Sequence, residues 1–314
     1  MIHNQTFETE IKSYQHKQSA AVKLIQIVNS LWFGSSIELI FFRKQLFDRP
    51  VNTVLHLHQQ SHELADPAVS IFETLRVAQA MHHLQLSPSR IDIGTLALEV
   101  RNQNIEDDQL LYFIKKELMS AQDHKNFEPR DVVLYGFGRI GRLLARELIS
   151  KSGAGKQLRL RAIVTRDTVD EKTLYKRATL LRNDSIHGDF KGEVDYDLEH
   201  QALIINGTTV KIISTENPED IDYTEYGIHN ALIIDNTGAF RDERELSRHL
   251  TANGASQVLL TAPAKGIPNI VYGVNNDMID LENTSIFSAA SCTTNAISPI
   301  LEIIDKKFNI NQGH

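Results

Sequence analysis

The spacing of apolar residues changes along the chain near residues 121–130. Before this segment, apolar residues recur at about every third or fourth position, which is typical of amphipathic helices. No long alternating pattern of the kind that predicts a β-strand occurs there. Residues 1–126 are therefore expected to form an all-helical domain.

Three segments of this first domain carry helix signals of their own, namely residues 34–50, 66–84 and 106–121. In the first segment, Ser35 and Glu38 fit a capping box, and Pro50 ends the run. In the second, Asp66 precedes Pro67, and proline is favoured in the first turn of a helix. The third segment begins with acidic residues and continues with lysines, which suits the helix dipole.

After residue 130, short runs of β-branched and apolar residues alternate with helical stretches. The run at 201–214 holds Asn206 and Gly207 between two apolar stretches, which predicts a hairpin with a type I′ turn. Strands that alternate with helices predict a mostly parallel, doubly wound sheet. The expected fold class is α/β, with a Rossmann-like domain over residues 127–290.

A glycine-rich turn follows the first of these strands. The sequence GFGRIG stands between the apolar strand 132–135 and the helix 140–149, and in this context G-x-G-x-x-G indicates dinucleotide binding. Gly136 would allow the tight turn, Gly138 a close approach of the backbone to a pyrophosphate, and Gly141 close packing of helix on strand. The free N–H groups at the helix start would face the phosphates.

The end of the second strand should select the cofactor. An acidic residue there binds the ribose hydroxyls of NAD, whereas a nearby arginine accommodates the 2′-phosphate of NADP. This strand ends with Thr165, Arg166 and Asp167. Asp167 supports NAD and the Thr165-Arg166 pair supports NADP, so the sequence leaves both cofactors open.

Composition narrows the class of protein. The 314 residues include 33 Lys and Arg against 40 Asp and Glu, and a formal charge of −7 gives no reason to expect nucleic acid or an anionic membrane as partner. No apolar run reaches the roughly 20 residues that span a bilayer, and residues 1–17 lack the plan of a signal peptide. A single cysteine forms no internal disulfide, so we expect a reducing, cytoplasmic setting.

That cysteine, Cys292, stands in the segment SAASCTTNAISPIL. Apolar residues after it recur at helical spacing, and Pro299 is expected in the first turns of that helix. A cysteine at a helix start is favoured as the thiolate, which is the nucleophilic form. Free cysteines are also common as small buried hydrophobic residues, and position alone leaves both interpretations open.

A cluster of histidines at positions 56, 58 and 62 raises the question of a metal. His58 and His62 lie one helical turn apart, but no cysteine pair or third-ligand pattern accompanies them. Solvated imidazoles on a helix surface are therefore expected, and no metal site.

Three features occur in order along the chain: GFGRIG, a strand ending in DNTGAF, and SAASCTTNAISPIL. Together they resemble phosphorylating glyceraldehyde-3-phosphate dehydrogenase. The segments 184–194, 203–213 and 258–275 are similar to the same family. The resemblance covers about residues 130–314, and the N-terminal part looks like the helical extension of a longer bacterial variant.

The resemblance implies a role for each matching residue. Cys292 would attack an aldehyde to give a thiohemiacetal and then a thioester, which phosphate would release as an acyl phosphate. Ser291 and Thr293 match contacts to substrate or phosphate, and the backbone N–H of Cys292 could stabilise the oxyanion. The residues that match the cofactor site are Arg139 and Ile140 at the pyrophosphate turn, and Thr237, Gly238 and Thr261 in the cleft.

The function implied is that of an NAD(P)-dependent aldehyde oxidoreductase of EC 1.2.1 type in glycolysis or gluconeogenesis. Its partners would be a small phosphorylated aldehyde and inorganic phosphate, in a cytoplasmic homotetramer. Two alternatives stay open: an erythrose-4-phosphate dehydrogenase, and a non-catalytic nucleotide-binding regulatory protein whose helical domain docks a partner. A semialdehyde dehydrogenase is disfavoured by SCTTN together with GFGRIG.

The chain also departs from the family pattern. Ala296 stands where the family often has a second cysteine, so that residue is not required. The catalytic histidine of the family would fall past His314. Residues 291–314 are therefore expected to be the start of a truncated catalytic α+β domain. This polypeptide alone is expected not to turn over, because it lacks the general base.

Overall fold

The computed structural model describes residues 2–119, 128–155, 157–280 and 283–312. The described residues divide into two compact units, the first within Met1–Glu128 and Ser152–Gln157, the second within Pro129–Lys151 and Leu158–His314. The domain boundary expected between residues 126 and 127, and the side chain of His314, lie outside the described residues. No described helix is both long and apolar enough to cross a membrane.

The all-helical domain expected over residues 1–126 is wrong in part, because the first unit is mainly helical but also contains a small sheet. Strand β1 pairs with β2 antiparallel and with β3 parallel. The elements are α1 (Ile2–Ser35), β1 (Ile37–Phe41), β2 (Lys44–Gln45), α2 (Val51–Gln60), α3 (Ile71–His82), β3 (Ser89–Asp92), α4 (Ile93–Asn102) and α5 (Asp107–Glu117). The apolar faces of these elements meet in one core, which explains the helical periodicity.

The helix expected over residues 34–50 is wrong, because this segment forms β1, a turn and β2. Helix α1 ends at Ser35, and Ser36 has a φ of +57°. The carboxylate of Asp92 accepts hydrogen bonds from the N–H groups of Phe42 (2.9 Å) and Arg43 (3.0 Å), and thereby holds the turn. A short apolar run fits a helix or a strand equally well, and this contact from β3 decides between them.

Helix α3 begins later than expected. Ser70 rather than Asp66 is the N-cap, and it forms a capping box with Glu73. The Oγ atom of Ser70 accepts from the Glu73 N–H at 3.3 Å, and the Glu73 carboxylate accepts from the Ser70 N–H at 2.7 Å. The predicted charge pattern of α5 is confirmed, with acids in its first turn and lysines in its last.

The sequence predicted solvated imidazoles on a helix surface. This prediction is wrong for His58. Its side chain is buried between α2, α3 and β1. Its Nδ1 atom lies 2.7 Å from the carbonyl of Val54, its Nε2 atom lies 2.8 Å from Oγ1 of Thr74, and its ring stacks on Phe41. Burial lowers the pKa of His58 to about 4.

The second unit contains an eight-stranded sheet in the order β11-β10-β9-β4-β5-β8-β7-β6. Six of these strands are parallel, and β6 and β7 join the edge antiparallel. Its elements are β4 (Arg130–Tyr135), α6 (Arg139–Ser150), β5 (Leu158–Thr165), α7 (Glu171–Arg182), β6 (Val194–Asp197), β7 (Ala202–Ile205), β8 (Thr208–Ser214), β9 (Ala231–Asp235), α8 (Glu243–Leu246), β10 (Ala255–Leu260), β11 (Ile286–Ser288) and α9 (Cys292–Phe308). The predicted α/β fold class is confirmed.

Both faces of this sheet are covered, which explains the continuous apolar runs of its strands. Along β4, Val132 and Leu134 belong to one core, whereas Val133 and Tyr135 belong to the core on the other face. The predicted hairpin is also confirmed. Asn206 and Gly207 join β7 to β8 with φ values of +48° and +74°, as a type I′ turn requires.

Candidate functional site

The parallel strands of the second unit end at one edge of the sheet. Around β4 they are arranged in the order β8-β5-β4-β9-β10-β11, which is the 3-2-1-4-5-6 order of dinucleotide-binding folds. The order reverses between β4 and β9, and ligands of such sheets bind outside the carboxyl ends of the strands at this point. The glycine turn follows β4, and the other predicted site residues follow β5, β9, β10 and β11.

Each glycine of the GFGRIG turn meets a different environment. Gly136 has a φ of +98°, and its N–H donates to the carbonyl of Val164 at 2.9 Å. A Cβ atom on Gly141 would lie 2.5 Å from Oδ1 of Asn236 and 2.6 Å from the carbonyl oxygen of Gly136. A Cβ on Gly138 would meet no atom within 4 Å. Gly141 is thus required by packing, while Gly138 faces open space.

A cleft of about 280 Å³ opens beside this turn. Its walls come from the ends of β4, β5, β8 and β9 and from α7. Six of the predicted site residues line it: Gly136, Gly138, Thr165, Arg166, Asp167 and Thr237. The other lining residues are Tyr135, Phe137, Val164, Arg177, Thr215 and Ala239. Burial and the neighbouring Asp235 carboxylate raise the pKa of Tyr135 to about 12, so its hydroxyl stays protonated at neutral pH.

Two further residues of the predicted turn lie at the start of α6. Gly138 is the N-cap of this helix, and no side chain caps its first N–H groups. Nε of Arg139 lies 3.7 Å from the Asp184 carboxylate, and the side chain of Ile140 is exposed. Backbone N–H groups of His187 and Ile186 hold the pKa of the Asp184 carboxyl below its usual range, so this partner of Arg139 is ionised.

Arg177, which the sequence analysis missed, enters the cleft from α7. Its Nη2 atom pairs with the carboxylate of Asp167, and its Nη1 atom donates to the carbonyl of Phe137 at 3.2 Å. Asp167 follows β5 and Phe137 belongs to the glycine turn, so one guanidinium joins two walls of the cleft. The helical pattern of residues 171–182 gave no signal that this arginine reaches the site.

A buried pair lies beneath the cleft. Nε2 of His249 is 2.9 Å from Oδ2 of Asp235, and both side chains are fully buried. Oδ1 of Asp235 accepts from the N–H and the hydroxyl of Thr237. The carbonyl of Asp235 accepts from the N–H and the hydroxyl of Thr261. Asp235 therefore fixes Thr237 and Thr261, and Gly238 continues the turn with a φ of +73°.

Cys292 is the first residue of α9, and the predicted helix start is confirmed. Ser291 is the N-cap, and its Oγ atom accepts from the N–H of Thr294 at 3.0 Å and lies 3.0 Å from Oγ1 of Thr293. The thiol is exposed. A helix N-terminus favours negative charge, and Cys292 stands at one. The interpretation of Cys292 as a buried hydrophobic residue is wrong.

Two residues that the sequence analysis did not select shape the approach to Cys292. Ala290 has a φ of +58°, an unusual value for a residue with a Cβ atom, and turns the chain sharply after β11. Nδ2 of Asn295 donates to the carbonyls of Ala289 (2.7 Å) and Ser291 (2.9 Å). Asn295 thus holds the turn in place from one helical turn beyond the cysteine.

The placement of Pro299 differs from expectation. It is the eighth residue of α9 and so lies in the third turn rather than the first turns. Its missing N–H leaves the carbonyl of Asn295 without a helical donor. None of the side chains of α9 is buried.

The residues present fit a bound dinucleotide. The open space over Gly138 would be filled by a Cβ atom at that position, and the uncapped N–H groups of α6 suit phosphate oxygens. Within the described residues, no group of three or more His, Cys, Asp and Glu side chains is arranged to hold a metal ion.

Comparison with known proteins finds a family model that matches part of the chain and relatives that align with it. Residues 130–243 match the family model described as the NAD binding domain of glyceraldehyde 3-phosphate dehydrogenase. The chain is also 42% identical over 301 residues to a glyceraldehyde-3-phosphate dehydrogenase-like protein of Pseudomonas aeruginosa (strain UCBPP-PA14). That alignment covers 93% of this chain and 64% of the relative, so the relative shares most of the first unit as well.

Glyceraldehyde-3-phosphate dehydrogenases align over a shorter stretch. The enzyme of Thermotoga maritima is 38% identical over 183 residues, and that of Streptomyces coelicolor is 37% identical over 183 residues. Each alignment covers 58% of this chain and 51% of the relative. The chain therefore spans about half the length of these two relatives.

Proposed function

Because residues 130–243 match the family model described as the NAD binding domain of glyceraldehyde 3-phosphate dehydrogenase, we propose that the protein supplies the cofactor site and the nucleophile of a phosphorylating aldehyde dehydrogenase. The observation that carries this proposal is the position of Cys292. It begins the helix that follows β11, at the same edge of the sheet as the glycine turn after β4. Three strand spacings separate the two, about 14 Å.

In the proposed reaction, the thiolate of Cys292 adds to the carbonyl carbon of an aldehyde and gives a thiohemiacetal. When bound, the nicotinamide cofactor accepts a hydride equivalent and makes the oxidation possible. The carbon then stays bonded to the Cys292 sulfur as a thioester. Inorganic phosphate attacks that carbon, the carbon–sulfur bond breaks, and the thiolate returns as an acyl phosphate leaves.

The residues around Cys292 would assist in positioning. The N–H groups at the start of α9 face the oxygen on which negative charge develops. Ser291 and Thr293 flank Cys292 in the chain, and their hydroxyls lie 3.0 Å apart, where they would contact the substrate or the phosphate. Asn295 and Ala290 hold the turn that presents the thiol.

At the cofactor site, the glycine turn and the start of α6 would bind the pyrophosphate, with Gly138, Arg139 and Ile140 nearest to it. Asp167 with Thr165 and Arg166 would contact the adenosine ribose. Thr237 lines the cleft, and Gly238 and Thr261 lie outside its lining. All three follow the strands on the far side of the switch point, where the nicotinamide would be bound.

The proposed substrates of the whole protein are glyceraldehyde 3-phosphate, inorganic phosphate and NAD or NADP. The names of the Thermotoga and Streptomyces relatives support this substrate class. The proposal also includes a homotetramer in the cytoplasm, where the single thiol stays reduced.

A burst assay tests this function. The whole protein, including any segment that supplies the general base, is mixed with NAD and glyceraldehyde 3-phosphate without phosphate, and the absorbance of reduced nicotinamide is followed. We expect at most about one reduced cofactor per chain, because the thioester persists without phosphate. The Cys292→Ser protein should give no burst. A burst of equal size in this variant would contradict the proposal, and cofactor binding without any burst would favour the nucleotide-binding regulatory protein.

A further inference from the structure

The cleft contains one contact that a site for NAD alone does not need. The carboxylate at the end of β5 usually accepts hydrogen bonds from the ribose hydroxyls, and its charge repels a 2′-phosphate. Here the carboxylate of Asp167 is already paired with Arg177. Arg166, which is exposed, stands next to it in the chain. Two cations and one anion therefore lie where the 2′ substituent of an adenosine ribose would be bound.

The guanidinium of Arg177 is held firmly in this place. It is mostly buried, with a side-chain exposure of 15%, whereas the side chain of Asp167 is 46% exposed. The hydrogen bond to the Phe137 carbonyl fixes its Nη1 atom to the glycine turn. Within the described part of the chain, its buried Nε atom has no hydrogen-bond partner. The carboxylate of Asp167 can thus rotate toward solvent or a ligand, while the guanidinium of Arg177 remains bonded to the glycine turn.

The location of Arg177 relative to a bound ribose follows from these contacts. Any ribose hydroxyl bonded to Asp167 would share this carboxylate with the Arg177 guanidinium. A phosphate on that hydroxyl would bring two or more charged oxygens to the same place, and guanidinium groups bind phosphate with short, charge-assisted hydrogen bonds. NAD would leave the Asp167–Arg177 pair intact, and NADP would exchange the carboxylate for the phosphate.

We propose that Arg177 sets the cofactor choice of this protein, by neutralising Asp167 and binding the 2′-phosphate, so that NADP is accepted as well as NAD. This inference rests on the proposed binding of a nicotinamide cofactor in this cleft. It assigns the choice to a residue of α7 rather than to the end of β5, where dinucleotide-binding folds usually place it.

The test compares dissociation constants of NAD and NADP by calorimetric titration of the full chain. In Arg177→Gln, we expect NADP affinity to fall by about ten-fold or more, because charge-assisted bonds to the 2′-phosphate are lost. NAD affinity should change by less than about three-fold, since its ribose is bound by Asp167 rather than by the arginine. The matched control is Lys176→Gln, which removes the same charge from an exposed neighbour on α7 and should leave the ratio unchanged.

Two smaller probes isolate the 2′-phosphate. Adenosine 2′,5′-bisphosphate and 5′-AMP differ only in that group, so Arg177→Gln should weaken the first and spare the second. Arg177→Lys keeps the charge but not the planar donor pair, and should lie between the wild type and Arg177→Gln for NADP. Circular dichroism of the variants at the titration temperature shows whether each is folded.

Equal losses of NAD and NADP affinity in Arg177→Gln would overturn the inference and show that the arginine only ties the glycine turn to β5. A wild-type protein that binds NAD but not NADP would overturn it as well, with the proposed cofactor site intact. Failure of the wild type to bind NAD, NADP and 5′-AMP would overturn both the inference and the proposed function.

Discussion

Gly138 and Gly141 belong to the same motif but differ in what surrounds them. Gly141→Ala places a methyl group against Asn236 and the Gly136 carbonyl. We expect it to reduce the free energy of unfolding of the second unit by about 1–3 kcal/mol, because the backbone must shift. Gly138→Ala meets no protein atom and should leave stability within about 0.5 kcal/mol.

The same pair of variants separates folding from binding. Gly138→Ala should weaken NAD binding by about ten-fold or more, because the methyl group occupies the approach of the pyrophosphate. Urea denaturation followed by circular dichroism and calorimetric titration with NAD measure the two effects. Full NAD affinity in Gly138→Ala would show that the pyrophosphate does not lie over this residue.

A second prediction for single residues concerns the buried pair of Asp235 and His249. Asp235→Ala leaves a buried imidazole without its partner and releases Thr237. The free energy of unfolding should fall by about 3 kcal/mol or more, as is typical when one member of a buried polar pair is removed. Asp189→Ala, at an exposed carboxylate, is the control and should change it by less than about 0.5 kcal/mol. Equal stabilities would mean that the pair contributes nothing.

Single residues were predictable where local sequence determines their role. Gly136 and Cys292 could be selected because a turn and a helix start are local features. Arg177, His249 and Asn295 could not, because each acts through a contact with a residue that the fold brings near. An arginine within a helical pattern is most often solvated, and nothing in residues 171–182 distinguishes Arg177 from its neighbours.

At the scale of elements, the contact of α2 with α3 through His58 predicts an acid-sensitive first unit. Burial lowers the pKa of His58 to about 4 from 6.5, so the folded unit resists protonation while the unfolded chain accepts a proton below about pH 6.5. Stability is therefore full above pH 6.5 and falls as the pH decreases toward 4. Between pH 7 and pH 5 the loss from this residue should be about 2 kcal/mol.

Trp32 is the only tryptophan of the chain and is buried in the first unit, so its fluorescence reports the unfolding of this unit. Urea titrations at the two pH values give the change in the free energy of unfolding. His58→Leu should remove most of the pH dependence, whereas His56→Leu, at an exposed neighbour, should retain it. A pH dependence that survives in His58→Leu would assign it to another group.

Helices and strands could be predicted where the local sequence carries a strong signal. Helix α5 and the hairpin of β7 and β8 follow directly from charge pattern and turn chemistry. The segment of β1 and β2 was misinterpreted because its apolar run is short and its conformation depends on Asp92, some fifty residues away. The predicted start of helix α3 is too early, because it follows the proline signal at Pro67 rather than the capping box at Ser70.

At the scale of the whole molecule, the order of the parallel strands explains how distant segments could serve one reaction. The turn after β4 and the helix after β11 are separated by about 150 residues in sequence but emerge at one edge of one sheet. The alternation of strands and helices predicted that sheet. The small sheet of the first unit was not predictable, because each of its strands has five residues or fewer and is stabilised by partners elsewhere in the chain.

Trapping the acyl group on Cys292 tests directly whether this residue is the nucleophile. The whole protein, including any segment that supplies the general base, is incubated with glyceraldehyde 3-phosphate in the presence and absence of NAD, without phosphate, quenched in acid, digested and analysed by mass spectrometry. We expect a phosphoglyceroyl thioester on the Cys292 peptide only when NAD is present, and its loss on addition of phosphate before the quench. An unmodified Cys292 peptide from a protein that has bound NAD would contradict the assignment of Cys292 as the nucleophile.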